Sequence, residues 1–268
     1  MNRKNVGMPT LVGIPFDGQS SYLRGAGDAP PKIREAMHCD ASNEWTESGI
    51  DLGATGTFDD AGDLAFSEND EFEVIESGIG RLLDEGCRTA SLGGDHSITY
   101  PILKAFAKRY RELTIFHFDA HPDLYDELEG NRLSHACPFA RIMESGLAKR
   151  LVQVGIRTMN GHQREQAKRF GVEVAEMRGL PAYEKLKAGP IYISFDMDVL
   201  DPAFAPGVSH REPGGMSVRE AIAHLHAIEG EIVGADVVEY NPARDLGDMT
   251  ATVAAKIVKE ILGKMIRK

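Results

Sequence analysis

Short apolar runs alternate with longer stretches of helical periodicity along this chain. The runs are Thr10-Leu11-Val12-Gly13-Ile14, Thr89-Ala90-Ser91-Leu92, 113–118, 151–156, Val172-Glu173-Val174, 191–195 and 232–238. Most are near-continuously apolar rather than alternating, which predicts strands buried on both faces of a parallel sheet. Between them Phe72, Ile75, Ile79, Leu82 and Leu83 recur at helical spacing and predict an amphipathic helix over 72–83. Ser217 with Glu220 three residues on is a capping-box signature and opens a helix over 218–228. Val253, Ile257, Ile261 and Met265 lie on one stripe of a last helix, 250–266. The stretches 16–30, 45–66, 124–134 and 199–216 carry neither period and are read as irregular. This alternation predicts a single doubly wound three-layer α/β/α domain over 1–268, with a mostly parallel sheet. Ligands of such sheets collect at the carboxyl ends of the strands.

Composition narrows the partners. With 42% hydrophobic residues, the 268-residue chain can bury a substantial core. Its 30 basic and 41 acidic residues leave a net charge of -11, which disfavours nucleic acid and suits a small cationic substrate. Cys39, Cys87 and Cys137 are widely spaced and odd in number, so they build no disulfide framework and no CxxC zinc motif. A reducing compartment, the cytoplasm, is the expected location. The stretch 1–9 is polar and shows no signal peptide. No apolar run approaches the roughly 20 residues of a membrane span.

The chemistry concentrates in three clusters, each at the end of an apolar run: Gly93-Gly94-Asp95-His96-Ser97, Phe118-Asp119-Ala120-His121-Pro122-Asp123 and Phe195-Asp196-Met197-Asp198. They offer two histidines and four carboxylates, the inventory of a paired divalent-metal site. If the extended backbone persists through Asp123, then Asp119, His121 and Asp123 share one side, and Asp196 and Asp198 repeat that geometry on another strand. Burying so many carboxylates without compensation is costly, and two divalent cations would neutralise them. A mostly carboxylate site favours manganese, while nickel, cobalt, iron or zinc also suit mixed O/N ligands. Taken singly, an Asp-x-His is most simply a loop pair, and an Asp-x-Asp could equally hold magnesium.

At these residues the chain resembles the ureohydrolase superfamily of arginases, agmatinases, guanidinobutyrases and formiminoglutamases. The likeness runs from Gly13-Ile14-Pro15 to the last helix and includes Ser194-Phe195-Asp196-Met197-Asp198-Val199-Leu200-Asp201-Pro202. A finer resemblance is to plant-type arginases and bacterial agmatinase-like proteins. It is carried by Asp123-Leu124-Tyr125-Asp126, Glu129-Gly130-Asn131, Ser134-His135-Ala136, Ala205 to Gly215 and Gly234 to Pro242. The resemblance implies that His96, Asp119, Asp123 and Asp196 hold one metal, and that Asp119, His121, Asp196 and Asp198 hold the other, with Asp119 and Asp196 bridging. Two Mn2+ per chain are implied. A hydroxide between them would attack the guanidinium carbon of agmatine or arginine, releasing urea and an amine. Glu239 would hold the guanidinium through paired N–H donors, and His135 would relay protons to the leaving amine. Asn131, Ser134 and His210 are further substrate-binding candidates. A homotrimer or homohexamer is implied by the family.

Other residues read more plainly. His117 is a packed strand histidine, Asp95 orients its neighbours, and Cys137 is a small buried residue. Trp45 could form a lid or an interface, Glu212 could line the mouth, and Arg141 and Arg150 could serve subunit contacts. Animal arginases grip the amino-acid head with polar residues just after the Asp-x-His-x-Asp motif; Leu124 and Tyr125 stand there, so that grip does not transfer. Guanidinobutyrate, guanidine and alkylated guanidines are therefore alternative substrates. Two other classes compete: a non-catalytic subunit of a hetero-oligomer, and a deacetylase-like amidohydrolase with one metal, which would leave the second ligand set unexplained.

Overall fold

Every apolar run forms a strand. The computed structural model describes residues 7–67, 70–180, 186–187 and 189–266, so residues 1–6 of the polar stretch 1–9 lie outside it. In chain order the elements are β1 (Pro9–Gly13), α1 (Ala29–His38), β2 (Asp59–Asp63), α2 (Glu71–Asp84), β3 (Arg88–Leu92), α3 (Thr99–Ala107), β4 (Thr114–Phe118) and α4 (Pro138–Glu144). There follow β5 (Arg150–Ile156), α5 (Gly161–Phe170), β6 (Glu173–Glu176), β7 (Leu186–Lys187), β8 (Ile191–Asp196), α6 (Val218–Ala227), β9 (Ile228–Glu229), β10 (Ile232–Val238) and α7 (Met249–Ile266). An eight-stranded sheet has the order β2-β1-β3-β10-β8-β4-β5-β6, and β7 pairs with β9. All these pairings are parallel.

Alternate residues of the central strands feed opposite faces, as the two-residue period requires. On β8, Ile191, Ile193 and Phe195 join a core with Ile33 and Met37 of α1, Leu225 of α6 and Ile257 and Ile261 of α7. Tyr192 joins the other core, with Ile75 and Ile79 of α2, Phe106 of α3 and Phe139 of α4. Helices thus cover both faces and give the three-layer α/β/α arrangement. The capping box at Ser217 and Glu220 forms as the pattern predicts, and a second one joins Asn160 to Gln163.

Two differences from the pattern have simple causes. Strand β2 lies within the stretch read as irregular: its sequence Asp-Asp-Ala-Gly-Asp is exposed throughout, so an edge strand without an apolar face leaves no period to detect. Arg141 and Arg150, read as candidates for subunit contacts, each have a partner within the chain. Arg141 is buried and bonds Asp126 at 2.8 Å, and Arg150 bonds Glu173 at 2.6 Å.

The strand order positions the chemistry. Strands β3, β10, β8 and β4 are consecutive in the sheet, and the segments leaving their carboxyl ends carry His96, Glu239, Asp198 and Asp119 respectively. Residues up to 143 positions apart in sequence thereby meet on one rim.

Candidate metal centre and cleft

Each site residue is aimed by a local device. After β3 the chain runs against the segment around Phe16; a Cβ on Gly94 would stand 1.7 Å from the Phe16 carbonyl oxygen, so only glycine fits. Asp95 then caps the turn His96–Ile98, accepting from the Ser97 amide at 3.0 Å. The extended geometry expected for 119–123 and for Asp198 does not occur. Strand β4 ends at Phe118, and Asp123 sits at φ 48. Asp198 lies in the turn Met197–Val199, where its amide donates to Asp196 Oδ1 at 2.7 Å. Side chains converge through turns rather than pleat alternation. Glu239 also has positive φ, 64, an unfavourable conformation for a side-chain-bearing residue that the packing around β10 holds in place.

His96 is fully buried, and its Nδ1 faces three carboxylate oxygens: Asp119 Oδ2 at 3.2 Å, Asp123 Oδ2 at 3.1 Å and Asp196 Oδ2 at 3.1 Å. None of these contacts has hydrogen-bond geometry, and Nδ1 is a buried polar atom without a partner. Two donors on perpendicular bonds of about 2.1 Å to one cation stand about 3 Å apart, which is the spacing between His96 Nδ1 and each of the three oxygens. On the cleft side His121 Nδ1 lies 2.9 Å from Asp198 Oδ2 and 3.5 Å from Asp119 Oδ1. Asp119, His121 and Asp198 are close enough to share one ion. The donor set therefore fits two divalent cations.

Electrostatics agree. Burial, then the neighbouring charges of Asp198 and Asp119, hold the Asp196 carboxyl well above the usual range. Burial and then Asp119 push Asp198 up to about 6. Burial opposes a proton on His96, but Asp119, Asp123 and Asp196 outweigh it and raise the imidazole well above its ordinary value. The cluster is short of positive charge.

His117 also stands within metal-sharing distance of His96 and Asp119, but its hydrogen bonds give it another task. Its Nδ1 accepts from Gln153 Nε2 at 3.0 Å, so Nε2 carries the proton and donates to Asp119 Oδ2 at 2.7 Å. Stacked on Phe139 with ring centroids 3.8 Å apart, it holds Asp119 in place. Burial keeps it neutral by lowering its pKa.

Beside the cluster Glu239 Oε1 accepts from the His96 amide at 2.9 Å and from His135 Nδ1 at 2.8 Å. Burial resists the charge on both partners, yet each stabilises the other: Glu239 is lowered and His135 is pushed up to about 9. The other ring nitrogen, Nε2, lies 2.8 Å from Ser21 Oγ, a residue the sequence reading did not single out. Asp95 explains how Ser21 gets there: its buried carboxylate accepts from the Gln19 amide at 2.9 Å and from Ser20 Oγ at 3.2 Å, pinning the segment over the site. No pattern marks Ser21, because it belongs to the irregular loop leaving β1 and meets His135 from 114 positions away in sequence.

A cleft of about 210 Å³ opens onto this group. His121, Asp123, Asp196, Asp198, His135 and Glu239 line it, with Ser21, Tyr125, Leu128, Thr158, Gln163 and His210 around them. Among these lining residues there is no lysine or arginine. His96 and Asp119 lie beneath, fully buried. His210 sits at the wall, its ring 5.1 Å from that of His135 and 6.2 Å from that of His121. Asn131 and Ser134 fall outside the cleft, in an adjacent depression with Gln19 and Glu129. Asn131 is spent on the loop, donating to Gln19 Oε1 at 2.8 Å. Glu212 contributes its carbonyl to Arg157 rather than its side chain to the mouth, and Trp45 does not line the cleft. Arg157, also unforeseen, donates to the carbonyls of Asp198 at 2.6 Å and Val199 at 3.2 Å and so braces the Asp198 turn.

Comparison with known proteins agrees with this arrangement. Residues 9–263 match the Arginase family. The chain is 48% identical to arginase 1, mitochondrial, of Arabidopsis thaliana over 96% of its own length and 80% of that protein's. It is 34% identical to the agmatinase of Bacillus subtilis (strain 168), over 94% and 90% respectively. The solved arginase of Medicago truncatula superposes with a TM-score of 0.93 at 46% identity, covering 96% of this chain and 87% of that one.

Proposed function

The chain belongs to the arginase family and is a hydrolase of guanidino compounds, and from that premise we propose that it cleaves agmatine or arginine to urea and an amine. The observation that carries the reading is the unpartnered Nδ1 of buried His96 facing three carboxylate oxygens, with the Glu239–His135 pair 2.8 Å apart beside it. In this reading His96, Asp119, Asp123 and Asp196 hold one divalent metal, and Asp119, His121, Asp196 and Asp198 hold the second. When bound, such metals supply Lewis acidity and a water acidified toward a pKa of about 7.

The chain's own residues do the rest. Glu239 has one oxygen occupied by the His96 amide and the His135 ring, which leaves Oε2 to accept from a guanidinium N–H. No lysine or arginine among the lining residues opposes a cation entering the cleft, and Glu239 offers it a carboxylate oxygen. His135, held protonated by Glu239, presents Nε2 toward the cleft and would donate its proton to the departing amine; Ser21 then lies where a proton can be returned from solvent.

Manganese is the proposed native metal, on the strength of the carboxylate-rich donor set. A closed homotrimer or homohexamer is proposed on the resemblance to the family, and a cytoplasmic location on three cysteines that are all free. A second reading, a small or alkylated guanidine, is favoured by the cleft itself: about 210 Å³ is below the roughly 300–1,000 Å³ of drug-sized pockets, and Tyr125 and Leu128 narrow it. Urea release by manganese-loaded protein across arginine, agmatine, guanidinobutyrate, guanidine and dimethylated guanidines, repeated with nickel, tests both. Preference for the first two supports the first reading, preference for the last two the second, and no urea from any with two metals bound overturns both.

A further inference from the structure

Behind His96 runs a chain of buried hydrogen bonds that the reaction as described does not use. Three hydroxyls converge on the Asp236 carboxylate: Thr99 Oγ1 and Tyr192 OH on Oδ2 at 2.9 and 2.7 Å, and Ser194 Oγ on Oδ1 at 2.6 Å. Asp236, Ser194, Thr99, Tyr192 and His96 are all fully buried, so water does not complete these shells. A carboxylate receiving three hydroxyls only accepts, and Ser194 has one proton to give. With that proton on Asp236, Ser194 Oγ can meet His96 Nε2, 2.9 Å away, only by accepting from it. In the neutral ring that a metal requires, the proton is thereby placed on Nε2, and the lone pair is left on Nδ1, the atom facing Asp119, Asp123 and Asp196.

We propose that Asp236 and Ser194 are positioning residues that set the tautomer and direction of His96, and through it the affinity of the buried metal position. The inference rests on the two-metal reading above. It assigns the relay to one position only, since Ser194 bonds His96, whereas the ring of His121, the histidine of the other, faces Asp198 and Asp119. Outer partners of metal-bound histidines typically contribute 10–100-fold to affinity.

The test is equilibrium dialysis of the full chain against Mn2+, with bound metal counted by inductively coupled plasma mass spectrometry and free Mn2+ by electron paramagnetic resonance. Ser194→Ala removes the acceptor. Asp236→Asn offers Ser194 an amide N–H, which lets the relay reverse and place the ring proton on Nδ1. Unmutated protein should bind two Mn2+ per chain. Each variant should keep one site within a few-fold of its original affinity and lose about 10–100-fold at the other. Two sites of unchanged affinity in both variants would overturn the relay, and so would equal weakening of both sites, the mark of general structural damage. Fewer than two Mn2+ on unmutated protein would instead overturn the two-metal reading, a distinct failure. If Ser194→Ala does not fold, Ser194→Cys keeps the shape with a poor acceptor and gives the same comparison.

Discussion

Replacing Glu239 by Gln tests the core of the site with the least disturbance. The side chains are nearly isosteric, so the positive-φ backbone at 239 and the bond from the His96 amide are retained; what disappears is the charge beside His135. That charge, ahead of those of Asp123 and Asp95, overcomes burial and pushes His135 from an ordinary value of 6.5 up to about 9. The shift corresponds to about 3 kcal/mol, at about 1.4 kcal/mol per pKa unit. A histidine whose folded pKa is raised contributes its full stabilisation below the unfolded value and loses it as pH climbs through the folded one. The metal-free variant should therefore be less stable than its parent by up to about 3 kcal/mol near pH 6, with the gap closing as pH rises through about 9. Histidine ring resonances followed by NMR should show His135 titrating well below about 9, since only Asp123 and Asp95 are left to oppose burial. Urea equilibrium unfolding at pH 6 and pH 9.5 measures the energetic side. With manganese loaded, two metals should still bind while turnover on guanidinium substrates falls about a hundredfold or more, as when one preorganised partner of the reacting group is removed. If His135 in the variant still titrates near 9, or the stability gap does not change with pH, the Glu239–His135 coupling is not what holds the proton.

Three further outcomes follow from the geometry. Asp119→Ala removes a carboxylate that faces both His96 and His121, so metal content should drop at both positions and urea release should disappear; retained activity would rule out the proposed site. Asp198, pushed up to about 6 by burial and Asp119, binds a proton in the folded state that the unfolded chain releases, so metal-free stability falls as pH rises from about 4 to about 6. Asp198→Asn should relieve this by up to about 3 kcal/mol at pH 7.5 while weakening metal binding, and thermal melts of metal-free protein without such a gain would contradict the charge-crowding argument. Ser21→Ala should lower kcat several-fold with KM and bound metal unchanged; steady-state kinetics with an unaltered kcat would remove Ser21 from the proton path.

The apolar runs and the helical stripes were legible because burial on both faces of a parallel strand and on one face of a helix leaves a local period. The six candidate metal residues were legible for a related reason: each lies within a short motif following or ending a strand, and strand ends of an α/β sheet share a rim. Strand β2 escaped because an exposed edge strand carries no period. The extended geometry assumed for 119–123 failed because a two-residue spacing says which atoms are close in sequence, not which φ and ψ they adopt.

By itself, then, the sequence determined the layer architecture, the inventory of donors and their attachment to strand ends, all of which follow from side-chain type and short-range spacing. The tertiary structure alone decided the rest. The insertion of β10 and β8 between β3 and β4 brings Glu239 and Asp198 to the same rim as His96 and Asp119. The Asp95 clamp lays Ser21 on His135, and Gln153 and Ser194 choose which nitrogen of His117 and His96 carries the proton. These are contacts between residues tens to more than a hundred positions apart. A hydrogen bond is directional over about 3 Å, so its existence depends on how strands are ordered and loops are pinned, which no local pattern encodes.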